Sequence, residues 1–496
     1  MNPVPYLSNL TPLRGIAAML TVIFHVNIMQ MQNPLIPHES SGLLHHTYLM
    51  VDFFFILSGF IMCHVYGKWF SGEVSGAQFR KFTIARFARV YPLHFVTLLY
   101  TILLFYVAGK MGLPPDVVEN QNSGYSILTN LTLLHSMNFH DWFSWNHASW
   151  SISTEWWAYM VFPFLVGPFM RLGAYGKAIT AFLCFGGYLV ITFWIVPIVT
   201  IPPEIPFVRV DPVWHSVNVA YQYGILRCLC GFVLGMMLYE GFKKGWGKAF
   251  LGNGYVLAGL TLASFVCMHF ELADIFALSF FPFILLSGAY GSEGINKIFA
   301  TTPLQRLGDW SFSIYLVHQP LLFTIGKIQA YLHPAAPTAP PPPPDLMGAW
   351  LYCFGFVALM LVVSYFTYRL VEVPARLWLN PKKGGEYERE GVFITILPDL
   401  HHTPSLFSPV IFVCRLTEQT TKPYVGVITG KPIVAPNRLS IPTLTGTTQP
   451  IPGKRRRTDP SGRWQHPGTY DRLHCRRDPN RTLLRSRTHW LDDGGR

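Results

Sequence analysis

The chain is short of charge. Asp, Glu, Lys and Arg make up 13% of its 496 residues, while 50% are hydrophobic. That charged share is about half of what a soluble domain usually carries. The combination excludes a disordered chain, which needs low hydrophobicity, and argues against one large soluble domain. Acidic residues are the scarcer sign, 26 against 38 basic, so a net charge of +12 rides on an apolar chain. No internal repeat is visible. The eight cysteines form no CxxC pair and no regular spacing. Six of them lie in apolar tracts, where Cys acts as a small hydrophobe. Neither a disulfide framework nor a metal site is expected.

What is abundant is long apolar sequence. A bilayer core takes about 20 apolar residues per helix. Windows of that kind fall near residues 9–29, 48–66, 92–109, 150–169, 178–199, 221–239, 255–270, 272–290, 312–328 and 347–370. The expectation is an all-α, polytopic bundle of about ten spans. The half-length stretch 125–137 is expected to lie along or dip into the surface. Between 255–270 and 272–290 only Glu271 and Asp274 mark the turn.

Charge asymmetry between alternate loops supports the layout. Sixteen Lys and Arg fall in one set of loops and two, Lys110 and Arg209, in the other. By the positive-inside bias, both ends are expected to lie in the cytoplasm; the expected location is the inner (plasma) membrane. No Lys or Arg precedes the first window, so it is expected to be a retained helix rather than a cleaved signal. The run Pro340–Pro344 is expected to be a stiff outer spacer. The bundle occupies 1–380. The segment 381–496 is rich in Pro, Thr and Arg and holds no spanning tract. It is expected to be a basic tail of low order.

Ionisable groups inside a span are expensive, about 2.5–3.5 kcal/mol for an Arg at the helix centre on insertion scales, so each needs a reason. Arg14 and His25 are eleven residues apart. That is about three turns, which puts both on one face roughly 16 Å apart along the axis. They read as an anion anchor and a proton-handling group on one cavity, or as a snorkelling Arg and a histidine at a helix contact. Asp52 opens the second window and suits a positive helix end. Ser58-Gly59 offers a small surface to another helix or to a thin ligand chain. Arg86 and Arg89, three apart, would share a helical face and suit a phosphate, or would be ordinary cytoplasmic charges. Trp150 and Ser151 open a polar, aromatic segment in which Ser151, Glu155 and Tyr159 recur at i+4. Glu155 there could orient a histidine or sit as a dipole partner in an interfacial aromatic belt. Tyr315 and His318 share a face of the ninth window.

Taken in order, these pieces resemble the acyltransferase-3 family of integral membrane acyltransferases. Leu13-Arg14-Gly15 with Phe24-His25 is similar to its Arg-x10-His first helix. Residues 51–60, VDFFFILSGF, resemble its FFxxSGF element, and 86–92, RFARVYP, its RxxRxxP element. Residues 150–155, WSISTE, resemble its WSLxxE motif with Ile in place of Leu. Residues 313–320, SIYLVHQP, look like YLxHxP, and 372–374, EVP, match its ExP ending. The resemblance covers the bundle. The tail has no Gly-Asp-Ser element of the hydrolase-like domain that some relatives carry.

The resemblance implies an O-acyltransferase that modifies carbohydrate, moving an acyl group, acetyl above all, from cytoplasmic acyl-CoA to a hydroxyl. Acyl-CoA is then a co-substrate, with no permanently bound cofactor. The implied partners are membrane lipid and a carbohydrate or glycolipid acceptor, with no nucleic acid. His25 would be the general base, with Asp52 or Glu155 orienting its imidazole. Arg14, Arg86 and Arg89 would hold the CoA phosphates. Ser58, Trp150, Ser151, Tyr315 and His318 would line the substrate path. A transporter of a glycan or lipid-linked intermediate is the alternative, although no inverted repeat is visible.

Overall fold

The computed structural model describes residues 6–30, 33–113, 115, 119, 121–199, 216–333 and 345–379, and the backbone of 386–389 and 392–395. The chain divides into two units, Met1–Gly384 and Gly385–Arg496. In the second, Glu386–Arg389 pairs antiparallel with Val392–Thr395. The rest of the expected tail, and Pro340–Pro344, lie outside the described residues.

The described elements of the first unit are all helical. Its first half runs α1 (Leu10–Met29), α2 (Leu43–His46), α3 (Met50–Tyr66), α4 (Gly76–Lys110), α5 (Gly124–Leu131), α6 (Trp150–Arg171) and α7 (Ala174–Val190). Then follow α8 (Gly224–Lys244), α9 (Lys248–Leu251), α10 (Gly254–His269), α11 (Asp274–Tyr290) and α12 (Glu293–Phe299). Last come α13 (Thr302–Asp309), α14 (Ser311–Leu332), α15 (Leu346–Thr367) and α16 (Val373–Leu379). A π-helical turn, Tyr368–Glu372, joins α15 to α16.

Each of the ten apolar windows falls on a helix, but not all of these helices meet the demands of a span. Six are long and apolar enough to cross a membrane, or seven if the bent pair α11 and α12, at 90°, is one crossing. The helix α10 has only 16 residues. The helices α6 and α14 have 22 each, but their polar residues lower the hydropathy. The half-length stretch forms only the eight-residue α5, started by a capping box at Ser123. At α10–α11 the chain does break where expected: Glu271 has a φ of 54° and Asp274 begins the next helix.

The exterior is apolar where lipid would lie, with Leu103, Phe182 and Leu262 each at least 60% exposed. The interior gathers the polar groups. Helix α3 packs most extensively on α8, and glycine makes that approach feasible. A Cβ on Gly59 would stand 1.8 Å from the Phe232 carbonyl oxygen, and one on Gly235 would stand 1.9 Å from that of Ile56. Close packing is therefore the use this chain makes of Gly59. A second apolar cluster joins α1, α14 and α15 through Val22, Ile314 and Phe356.

Candidate active site

At the end of the bundle where α1 begins, arginines converge on one carboxylate. Glu372 lies in the π-helical turn and is 2% exposed. It accepts from Arg89 Nη1 at 2.7 Å, from Ser313 Oγ at 2.5 Å and from Arg376 Nη2. Arg89 also covers the Phe312 ring, 4.9 Å from its centroid. Arg14 donates through Nη2 to the Gly308 carbonyl at 2.9 Å, with Arg89, Asp309 and Glu372 in electrostatic reach. Arg86 reaches toward α3, donating to the Tyr66 hydroxyl at 3.0 Å and lying over the Tyr66 and Tyr159 rings. The Nε–H groups of Arg14, Arg86 and Arg376 are buried without an acceptor. A buried donor demands an acceptor, and one on a cation is best met by an anion.

Half-way along α3, Ser58 and Tyr159 both donate to Glu155 Oε1. Ser58 and Glu155 are only partly buried. Nearby, Ser151 donates to the Tyr315 hydroxyl at 2.7 Å, and the Phe54 ring meets that of Tyr315 at 6.1 Å.

Toward the far end of α1 two histidines meet. The rings of His25 and His318 are 4.7 Å apart. His25 Nδ1 bonds the Thr21 carbonyl at 2.9 Å and His318 Nδ1 that of Ile314 at 3.3 Å. A carbonyl only accepts, so each Nδ1 carries the hydrogen and each Nε2 keeps its lone pair. His318 Nε2 is buried and unpartnered.

A buried ion pair stands beside this column. Arg227 donates to Asp52 through Nε at 3.0 and 3.1 Å and through Nη2 at 2.5 Å. Its guanidinium lies 5.5 Å from the Tyr48 centroid and 5.6 Å from that of Trp150. Tyr188 completes the Asp52 shell at 3.3 Å. Tyr48 also donates to Asp274, which accepts from His46 Nδ1 and the Val217 amide, each at 2.8 Å.

One expectation is corrected by this geometry. Asp52 and Glu155 do not orient His25, since Arg227 takes the first carboxylate and Ser58 with Tyr159 the second. Asp52 is fully buried, and a carboxylate buried without a counter-charge is too costly to stay available, so the nearest cation claims it. Arg86 and Arg89, three apart on α4, bond different partners, the Tyr66 hydroxyl and the Glu372 carboxylate. By contrast His25 with His318, Ser151 with Tyr315, and Glu155 with Tyr159 do come together. Arg227, Tyr48, Asp274 and the hub role of Glu372 were not foreseen. An Arg inside an apolar tract was the available signal for Arg227.

Residues 8–369 match the profile of the acyltransferase-3 family, described as an acyltransferase domain. The chain belongs to the acyltransferase-3 family. It is 29% identical over 335 residues to Acyltransferase MdmB of Streptomyces mycarofaciens, covering 63% of this chain and 78% of that protein. Protein 2 in picA locus, from Rhizobium radiobacter, is 31% identical over 129 residues, 25% of this chain and 61% of that one. Peptidoglycan O-acetyltransferase OatA of Listeria monocytogenes is 20% identical over 387 residues, 75% of this chain and 56% of its own length. No solved structure matches. The chain is thus an O-acyltransferase built as a multi-pass membrane protein. Glu372 lies just beyond the matched segment, yet it ties Arg89 inside that segment to the end of the bundle.

Proposed function

We propose that this acyltransferase moves an acyl group, acetyl first among candidates, from cytoplasmic acyl-CoA to a hydroxyl of a cell-surface or lipid-linked carbohydrate. In this reading the ten helical windows all cross the inner membrane, and both termini face the cytoplasm. The arginine end of the bundle then faces cytoplasmic acyl-CoA, and the histidine end faces the acceptor. The name of the Listeria relative, a peptidoglycan O-acetyltransferase, supports acetyl as the group and a glycan as the acceptor.

The observation that carries this reading is the vertical order of the polar groups on α1. Arg14 lies near Arg89 at one level, and His25 stands roughly 16 Å along the helix with a lone pair on Nε2. Phosphates of CoA would satisfy the unpartnered Nε–H groups of Arg14 and Arg86, and Arg89 would add charge while held by Glu372. The pantetheine arm would run up the column toward His25. His25 Nε2 would take the proton of the attacking hydroxyl. A positioned base of this kind supplies about 10²–10⁴-fold in rate.

The test is acyl transfer by membranes carrying His25→Ala or Arg86→Ala. The first should lose at least a hundredfold in kcat. The second should raise the KM for acyl-CoA. Full activity in His25→Ala would remove the base assignment, and an unchanged KM in Arg86→Ala would remove the phosphate contact.

A further inference from the structure

Ser58 is the one serine among the described residues that both donates to a carboxylate and stays partly exposed. Ser313 also donates to a carboxylate, Glu372, but it is 0% exposed, and two arginines already hold that acid. Ser58 is also centrally placed. Phe54, one turn away on the same face, meets Tyr315; Tyr315 meets His318 at 5.8 Å; and His318 meets His25. In the other direction Tyr66 is eight residues, about 12 Å, along the helix and holds Arg86. Arg86 in turn lies over the ring of Tyr159, whose hydroxyl shares Glu155 Oε1 with Ser58. The serine stands between the arginine level and the histidine level.

We propose that Ser58 is a covalent acyl carrier and that Glu155 is its base. This deepens the reading above and rests on it. In the first half, Glu155 takes the Ser58 hydroxyl proton as Oγ attacks the thioester carbon. The Oγ–C bond forms and the C–S bond breaks. CoA departs as a thiolate that takes a proton from water, and Glu155 keeps the serine's proton. In the second half, the acceptor hydroxyl attacks the same carbon and gives its proton, relayed by water, to His25 Nε2, which releases it to bulk water. The Ser58 ester bond breaks, and Glu155 returns its proton to Oγ. Tyr159, donating to Glu155, holds the carboxylate toward the serine. Neither substrate then has to cross the bundle to meet the other.

A carrier makes the first half reversible without any acceptor. Purified full-length chain is given acetyl-CoA with isotopically labelled free CoA, and exchange of label into acetyl-CoA is followed. In parallel, net acetyl transfer is measured in native membranes. The wild type should show net transfer, exchange without acceptor, and one acetyl group on the peptide that contains Ser58. Ser58→Ala should lose exchange at least a hundredfold while keeping its thermal midpoint. Should Ser58→Ala misfold, Ser58→Cys keeps the volume and should carry the acetyl as a hydroxylamine-sensitive thioester. Glu155→Gln should slow exchange while leaving acetyl-CoA binding intact.

Net transfer by the wild type without exchange overturns the carrier, as does unchanged exchange in Ser58→Ala or acetyl found on another residue. An absence of net transfer from acetyl-CoA instead overturns the donor assignment, and the carrier falls with it.

Discussion

The guanidinium of Arg227 is clamped on the carboxylate of Asp52 by three contacts of 2.5–3.1 Å, with both residues 0% exposed. This pair ties α8 to α3 at the helix interface that glycine makes closest. Breaking such a pair on one side leaves a lone charge in the interior and costs about 3–5 kcal/mol. Arg227→Met and Asp52→Leu should therefore each lower the thermal midpoint sharply in detergent. The double substitution to Met and Leu should recover much of that loss. A loss in the double variant as large as the two single losses together would mean that the pair is not coupled.

The α3–α8 crossing should tolerate no side-chain carbon at its centre. Gly59→Ala and Gly235→Ala each place a Cβ under 2 Å from a carbonyl oxygen of the opposing helix. Overpacking costs typically about 1–3 kcal/mol, and backbone against backbone lies at the upper end. Proteolysis of membranes would reveal the loosened bundle, whereas Gly186→Ala, facing open space, should behave as wild type.

Glu372→Gln should destabilise the arginine end, since Arg89 and Arg376 lose their shared counter-charge. A loss of about 1–3 kcal/mol is expected from the groups left unpaired. An added anion should repair part of it. CoA is expected to raise the thermal midpoint of Glu372→Gln more than that of the wild type. The opposite ordering would place the CoA phosphates elsewhere.

Acid should weaken the fold through His135. It lies in the connection between α5 and α6, is 5% exposed, and bonds the Ser149 carbonyl through Nε2 at 3.1 Å. Burial, then the neighbouring His94, pushes its pKa down from 6.5 to about 3. The neutral ring is the folded form, so the unfolded chain binds the extra proton between those values. Stability is complete above about pH 6.5 and falls as pH drops toward 3. At pH 4.5 the loss is about 3 kcal/mol. His135→Gln should shrink the difference between thermal midpoints at pH 7.5 and 4.5. An unchanged difference would rule His135 out as the source of acid sensitivity.

Sequence and structure divide this protein unevenly. The helix positions were legible because apolar period and length are local properties: α1, α3 and α8 fall where the apolar windows do. The paired histidines were half-legible. His25 and His318 each announced themselves as costly groups in apolar tracts, but their contact links α1 to α14 across nearly 300 residues. Partner choice among the charges was not legible at all. Asp52 could as well have faced His25 as Arg227, since spacing within one helix says nothing about which neighbouring helix supplies the counter-ion. The tertiary packing decided it: Gly59 and Gly235 let α8 come close enough for Arg227 to reach. Burial then made that reach obligatory, because a carboxylate out of water must have a cation. The same logic gave Glu372 to Arg89 and Arg376, whereas Glu155, only partly buried, is held by the hydroxyls of Ser58 and Tyr159. Sequence alone determined that this chain is a helical bundle with expensive polar groups inside; only the three-dimensional arrangement determined which of them neutralise one another and which remain free for chemistry.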